Sequence, residues 1–314
     1  MALTAAFQMD PIEAVDIDGD TSFDMAFVGQ TRGHDIWVYD PRDLVFAPPS
    51  ARVAARRVRL AREKGDHVAF LTSETRDLRS FDVIFMRQDP PFDMAYITAT
   101  HVLESVHPET LVVNDPAAVR NAPEKLLVTA FADITPPTLI SRSTEAISEF
   151  RSAHGDIILK PLFGNGGAGV FRLQAGDPNF SSLLEMFFER SLEPIIAQAY
   201  VPDVKNGDKR VLLVDGEPVG AINRVPPEGE TRSNMHVGGR PEPSDLTARD
   251  RELCAAIGPT LRARGLTLAG IDVIGDYLTE INVTSPTGVQ ELRRFSGLDV
   301  SERLWGWVEA QRGA

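Results

Sequence analysis

A lysine running directly into clustered glycines can hold phosphate, and this chain has such a segment at Lys160-Pro161-Leu162-Phe163-Gly164-Asn165-Gly166-Gly167-Ala168-Gly169. Glycine backbone can close on phosphate oxygens, and Lys160 places a cation beside them. Gly164, Gly166 and Gly169 satisfy the dinucleotide fingerprint G-x-G-x-x-G. That fingerprint needs a helix opening at the loop, whereas Val170-Phe171-Arg172-Leu173 reads as strand. A Walker A loop is excluded because Val170 stands where its lysine belongs. The segment is expected to be a hairpin tip, a flap that folds over phosphates.

A second group offers oxygen ligands. In Asp272-Val273-Ile274-Gly275-Asp276-Tyr277-Leu278-Thr279-Glu280-Ile281-Asn282, strand alternation puts Glu280 and Asn282 on one face. A three-residue turn pairing Ile274 with Leu278 sets Asp272 opposite Glu280. A two-residue Gly275-Asp276 turn shifts the register and takes Asp272 off that face. The shorter turn suits the sequence better, because Tyr277 is a poor residue for left-handed backbone. Two carboxylates and an amide oxygen fit a hard cation such as Mg²⁺, which keeps waters and takes further ligands from nucleotide phosphates. A solvated strand face would alternate in the same way, but the donors and acceptors of Thr284-Ser285-Pro286 follow at once.

The third group is cationic: Lys205, Lys209, Arg210, Arg224, Arg232 and Arg240, among Pro226-Pro227, Gly229 and Gly238-Gly239. Arg210 starts a strand and Arg224 ends one, while Val225–Pro241 reads as a loop able to cover a site. Guanidinium binds carboxylate or phosphate through two parallel hydrogen bonds. Flap, lysine, oxygen ligands and arginines together supply what phosphoryl transfer from ATP needs, namely positioning and neutralised charge. No covalent nucleophile stands out.

Periodicity indicates the elements that carry these groups. A helix over Ser22–Gln30, strands Ile36–Tyr39, Val68–Thr72, Val83–Arg87 and Leu111–Asn114, and a helix over Met94–Ser105 suggest alternating β and α with a parallel sheet. The pattern changes after about Ala122. A helix at Glu124–Phe131 precedes short strands Leu139–Ser141, Ile157–Lys160, Val170–Leu173, Ile195–Tyr200, Arg210–Val214, Pro218–Asn223, Ala269–Ile274 and Leu278–Val283, giving an α+β half of antiparallel character.

The 314 residues include 32 Lys and Arg against 45 Asp and Glu, a net charge of −13. That balance argues against nucleic-acid partners, and an anionic ligand must meet a local cluster of cations. The single cysteine, Cys254, excludes an internal disulfide and a multi-cysteine zinc site, and is expected as a small apolar group in a helix. No apolar run reaches membrane-spanning length and Met1–Asp10 lacks the marks of a secretory signal, so a soluble cytoplasmic protein without membrane partners is expected.

Several long motifs, in order along nearly the whole chain, resemble those of the bacterial glutathione synthetases of the ATP-grasp superfamily. They are Met9-Asp10-Pro11, Met86-Arg87-Gln88-Asp89-Pro90-Pro91-Phe92-Asp93, Asn121 through Leu126, Ile157–Gly167, Gly207-Asp208-Lys209-Arg210-Val211, Gly229-Glu230-Thr231-Arg232, and Thr279-Glu280-Ile281-Asn282-Val283-Thr284-Ser285-Pro286-Thr287. The resemblance implies a three-domain ATP-grasp fold of mixed α/β and α+β type. Residues 1–122 would form an N-terminal α/β domain on a parallel sheet, 123–200 a central lid, and 201–314 a C-terminal domain, in a homotetramer. It also implies roles. Lys125 and Lys160, with Gly164, Asn165, Gly166 and Gly167, would contact the ATP phosphates, Gln198, Ala199, Tyr200 and Val201 would flank adenine, and Asp208 would lie by the ribose. Asp272, Glu280 and Asn282 would hold Mg²⁺, with Mn²⁺ also admissible. Arg87, Asp89, Ser285, Pro286 and Thr287 would line the site for γ-glutamylcysteine, whose carboxylate is phosphorylated and then captured by glycine, with Arg210, Arg224 and Arg232, the last in the covering loop Val225–Pro241, assisting. The chain departs from the family pattern at Gln88, where lysine is common, and at Asn165, where methionine is common.

Two other readings compete. A different ATP-grasp carboxylate–amine ligase would share the nucleotide site, and the Met86–Asp93 motif argues against it. A non-catalytic nucleotide-binding module would have lost metal ligands or Arg210, which this chain keeps.

Overall fold

The structure, a computed structural model, describes residues 1–164, 166–230, 232, 233, 235 and 238–313. A short strand, β1 (Thr4–Gln8), leads to α1 (Thr21–Thr31), which starts where Asp20 accepts a hydrogen bond from Phe23 N at 2.6 Å. Then follow β2 (Asp35–Tyr39), β3 (Leu44–Ala47), β4 (Ser50–Leu60), β5 (Val68–Asp77), β6 (Val83–Met86), α2 (Met94–Glu104), β7 (Leu111–Val113) and α3 (Pro116–Arg120). β2, β1, β6 and β7 run parallel in that order, as the alternation predicts.

On the other edge β3, β4 and β5 extend the sheet antiparallel, so it is mixed rather than purely parallel. Periodicity does not predict β3 or β4, for two reasons. β4 is built largely of Ala and Arg, which carry little strand propensity. Its buried positions run Ala51, Val53, Ala55 and then change phase to Val58 and Leu60, because the ladder with β5 shifts between Arg57 and Val58.

Next come α4 (Glu124–Leu127), β8 (Thr138–Ser141), α5 (Thr144–His154), β9 (Ile157–Pro161), β10 (Phe171–Leu173), α6 (Phe180–Arg190) and β11 (Ile195–Ala199). The helix expected to reach Phe131 stops at Leu127 and passes into a 3-10 segment kinked at Phe131. These strands form a wholly antiparallel sheet, ordered β10-β9-β11-β8, with α5 and α6 closing a small core of Ile147, Leu159, Leu184 and Ile195.

The rest comprises β12 (Asp208–Val214), β13 (Glu217–Val225), β14 (Arg240–Ser244), α7 (Ala248–Ala263), β15 (Leu268–Ile274), β16 (Tyr277–Asn282), α8 (Val289–Ser296) and α9 (Val300–Arg312). This sheet, ordered β14-β13-β12-β15-β16, is also antiparallel. Cys254 lies buried in α7, where burial pushes its thiol up to about 12, so it packs as an inert small group. No helix among the described residues is long and apolar enough to cross a membrane.

The first and third sheets share a core. Met86, Tyr96 and Leu103 pack in one cluster with Val211, Ile271 and Ile281, and Trp305 of α9 is fully buried, its indole donating to Met25 O at 2.8 Å. Two polar clamps fix the join. Asp24 of α1, with no exposed surface, pairs with Arg62 and Arg293 and accepts from Ser301 Oγ at 2.7 Å. Asn114, just past β7, donates Nδ2 to Leu268 O and Val283 O and accepts from Leu268 N, each at 2.8 Å.

Asn114→Ala would leave three buried backbone groups unpaired, each costing about 1–3 kcal/mol. A clear fall in the urea midpoint is therefore expected. An unchanged midpoint would show that the join between the two sheets does not depend on this side chain.

Candidate active site

The floor of the site is the β15/β16 hairpin. Its turn is the two-residue one, Ile274 pairing with Tyr277 across Gly275-Asp276, with Gly275 at φ +57°. The expected consequence, loss of Asp272 from the Glu280 face, does not follow. A bulge takes up Thr279, so Val273 pairs with Leu278 and then Asp272 with Glu280. Thr279 Oγ1 fixes the bulge by donating to Asp272 O at 3.1 Å.

Asp272 also sits opposite Arg210 of β12, and Asp208 sits opposite Arg224 of β13. Arg210 grips Asp272 with two hydrogen bonds, 2.5 Å from Nε and 3.0 Å from Nη2, and Arg224 Nη2 lies 3.1 Å from Asp272 and 2.7 Å from Asp208. Burial works to raise the Asp272 carboxyl, but the two guanidiniums outweigh it and hold the group below the usual range. Asp208, desolvated and next to the Asp272 charge, is pushed up to about 6 although Arg224 and Ser233 favour its ionised form. The expected loop Val225–Pro241 is shorter, since Val225 ends β13 and Arg240 opens β14, and its residues 231, 234, 236 and 237 lie outside the described ones. Within it Ser233 Oγ donates to Asp208 at 2.8 Å, a tie to the floor.

Glu280 faces two ammonium groups, Lys160 Nζ at 3.6 Å and Lys125 Nζ at 4.0 Å. Lys160 is delivered by β9, and burial lowers its pKa while Glu280 opposes the shift. Lys160 Nζ also lies 3.3 Å from Gln198 Oε1, and that amide is oriented by its own bond to Thr138 Oγ1 at 2.9 Å. Lys125 donates to Gly164 O, binding α4 to the flap. The flap is the expected hairpin between β9 and β10, with Gly166, Gly167 and Gly169 all at positive φ. Phe163 at its edge stacks on Phe92 with ring centroids 6.3 Å apart.

The charged groups, Gln198 and the glycines 164, 166 and 167 line one cleft of about 610 Å³. It brings together Arg210, Arg224 and Arg232; Lys125, Lys160, Gly164, Gly166, Gly167, Gln198, Ala199, Tyr200, Val201 and Asp208; Arg87, Asp89, Ser285, Pro286 and Thr287; and Asp272, Glu280 and Asn282. Asn165 lies outside the described residues. Three members of the cationic group go elsewhere. Lys205 is exposed, Lys209 bonds Asp250 at 2.7 Å, and Arg240 pairs with Glu242 at the surface. Gln88 accepts from Gln8 and is absent from the lining.

Sequence reasoning missed several lining residues. Glu124 is half-buried, its carboxyl raised by burial and by the Glu280 charge, and it accepts from Thr284 Oγ1 at 2.9 Å. Asp20 and Thr21 were legible only as a helix start, and Glu291 reads as an ordinary charge in a Gln290–Arg294 run.

The donor set suits a hard cation of partial ligation. Glu280 and Asn282 share a strand face toward the cleft, and Glu280 retains 21% side-chain exposure. Asp272 has both oxygens engaged by guanidinium, so a cation would share it with Arg210. Among the described residues no cluster of three His, Cys, Asp or Glu could hold a metal alone.

Residues 3–120 match the family model "Prokaryotic glutathione synthetase, N-terminal domain", and 124–297 match "Prokaryotic glutathione synthetase, ATP-grasp domain". A glutathione synthetase from Agrobacterium fabrum is 57% identical over 98% of this chain and 97% of its own length. One from Brucella melitensis is 58% identical over 99% and 100%. Among solved structures, the ATP-grasp ligase PsnB superposes with a TM-score of 0.67 at 18% identity over 99% of both chains. D-alanyl-alanine synthetase A from Vibrio cholerae gives 0.61 at 15% identity over the whole of both. The structural likenesses establish the ATP-grasp fold, and with both family models matched in succession the chain belongs to the prokaryotic glutathione synthetases.

Proposed function

We propose that the chain is an ADP-forming ligase that joins γ-L-glutamyl-L-cysteine to glycine, making glutathione. The observation that carries this reading, beyond family membership, is the convergence of Lys125, Lys160 and Glu280 beside the Arg210–Asp272–Arg224 network in one cleft. In the first step a carboxylate oxygen of the cysteinyl residue attacks the γ-phosphorus of ATP, an acyl phosphate forms, and ADP departs. In the second the glycine amine attacks the acyl carbon, phosphate leaves with the C–O bonding pair, and the amine loses a proton. A carboxylate is a poor electrophile, so the phosphoryl group supplies the leaving group it lacks.

Each assigned residue has a physical task in that sequence. Lys125 and Lys160 neutralise the phosphates, with the backbone of Gly164, Gly166 and Gly167 above them. Gln198, Ala199, Tyr200 and Val201 flank adenine, and Asp208 lies by the ribose. Arg210 and Arg224 donate to the acyl phosphate. Arg87, Asp89, Ser285, Pro286 and Thr287 line the dipeptide site. Arg232 and the 225–241 loop exclude the water that would hydrolyse the intermediate. Glu280 and Asn282, with Asp272 shared, would hold Mg²⁺ or Mn²⁺. Bound there, the metal would offset negative charge on the phosphates.

Residues 1–122, 123–200 and 201–314 form the three domains of this reading, with the middle one, which has its own core, as the lid. A cytoplasmic homotetramer belongs to the same reading. The exposed Val45, Phe46, Phe70 and Leu71 of β3 and β5 offer apolar surface for assembly.

ADP release should require γ-glutamylcysteine, glycine and ATP together. Release that ignores glycine and accepts unrelated acids would favour a generic ligase. Breaking the arginine network would strand buried charge at about 3–5 kcal/mol and confound folding with chemistry, so Glu280 is the cleaner probe. Glu280→Gln should lower kcat by roughly 100-fold or more in a protein that still folds cooperatively; near-normal turnover would refute its role. Chelation of divalent metal should stop ADP release and added Mg²⁺ or Mn²⁺ should restore it, whereas activity persisting in excess chelator would remove the metal from the scheme.

A further inference from the structure

On the edge strand of the second sheet stands a guanidinium with no place in the phosphate-binding or acid-binding scheme. Arg172 of β10 lies opposite Ile158 of β9, and Ile158 lies opposite Gln198 of β11. Directly opposed residues share a sheet face. Ile158 and Gln198 line the cleft, so Arg172 stands on the cleft side of the sheet although it lies outside the lining itself. Its guanidinium carbon sits 3.9 Å from the centroid of the Tyr200 ring, and Tyr200 does line the cleft.

One residue holds both members of this contact. Asp156, just before β9, accepts from Arg172 Nη2 at 2.8 Å through one carboxylate oxygen and from Ala175 N at 2.9 Å through the other. Its backbone carbonyl accepts from Tyr200 N at 3.0 Å. The guanidinium is thus fixed by the Asp156 side chain and the tyrosine by its main chain, which gives cation and ring one mutual placement. A guanidinium over an aromatic face is attracted by the ring quadrupole, and packing against it restricts the rotamers of the ring. Tyr200 needs such support, because it is half-buried and follows Ala199, the residue on which β11 and its ladder end. Beside it Ile158, Val204 and Ile274 give the cleft an apolar surface drawn from three separate segments, which suits a flat heterocycle better than a phosphate.

We propose that Arg172 is a positioning residue for the nucleotide: by holding the Tyr200 ring in place before the ligand arrives, it sets the affinity for the base and leaves the affinity for the phosphates alone. The inference rests on Tyr200 flanking adenine, and it adds a determinant outside the residues that touch the nucleotide. A ring ordered in advance need not be ordered by the ligand, so that cost drops out of binding. Asp156 belongs to the same device. Asparagine in its place keeps the backbone acceptor for Tyr200 N but offers the guanidinium no charge.

The test separates base from phosphate by titration calorimetry with ADP and with inorganic tripolyphosphate, which carries the charge without the base, both in the presence of Mg²⁺. The Arg172 side chain is 32% exposed, so its removal strands no deeply buried charge. Arg172→Ala should weaken ADP binding about fivefold, with tripolyphosphate binding within about twofold of wild type and kcat at saturating ATP unchanged. Arg172→Lys, which keeps a cation, should recover part of the loss, and Asp156→Asn should weaken ADP by a smaller factor. Tyr200→Ala should itself weaken ADP but not tripolyphosphate, and adding Arg172→Ala to it should cost nothing more. Unchanged ADP affinity in Arg172→Ala overturns the inference. So does an equal loss for ADP and tripolyphosphate, or a full additional loss in the Tyr200→Ala background. Tyr200→Ala with wild-type affinity for ADP would instead overturn the placement of Tyr200 beside adenine, on which the inference stands.

Discussion

Four cations buried side by side in an acidic protein govern everything around them. Lys125, Lys160, Arg210 and Arg224 are each at most 6% exposed. Unit charges about 4 Å apart interact by roughly 4 kcal/mol near a protein surface, so such a group persists only if anions are interleaved with it. Asp208, Asp272 and Glu280 fill that place, on unequal terms. The two aspartates are fixed by guanidinium hydrogen bonds inside the third sheet, whereas Glu280 is partly exposed and faces only flexible ammonium groups at 3.6 and 4.0 Å. Glu280 is thus the anion best able to yield its lysines to phosphate.

The three sheets distribute these charges according to how firmly each must be held. The first and third sheets share one core and the Asp24 and Asn114 clamps, giving a stiff floor for Arg210, Arg224, Asp272 and Glu280. The second sheet packs around its own core and carries Lys160 and the flap. Among the described residues its ties across the cleft include the Phe163–Phe92 stack and Lys160 to Glu280. A unit with a separate core and such local ties can move as a body while the floor keeps its geometry.

Much of this was legible in the sequence because function and alternation coincide. The glycine flap between two strands and Glu280 and Asn282 on one face follow from glycine chemistry and a period of two, and the parallel strands β2, β6 and β7 from short apolar runs separated by helices. The failures have local causes. The two-residue turn that the sequence favours is present, but a bulge at Thr279, which no single-residue propensity announces, cancels its consequence for Asp272. β4 was hidden by its Ala and Arg content and by a phase change. Glu291 and Thr21 reach the cleft through the packing of α8 against the start of α1, and no one-dimensional pattern encodes that.

A crystal structure with a non-hydrolysable ATP analogue and Mg²⁺ tests the central claim most directly. The account predicts phosphate oxygens within hydrogen-bonding distance of both Lys125 Nζ and Lys160 Nζ, with Glu280 turned from the lysines toward the metal. Triphosphate bound elsewhere, with the Lys–Glu280 pairs intact, would contradict it.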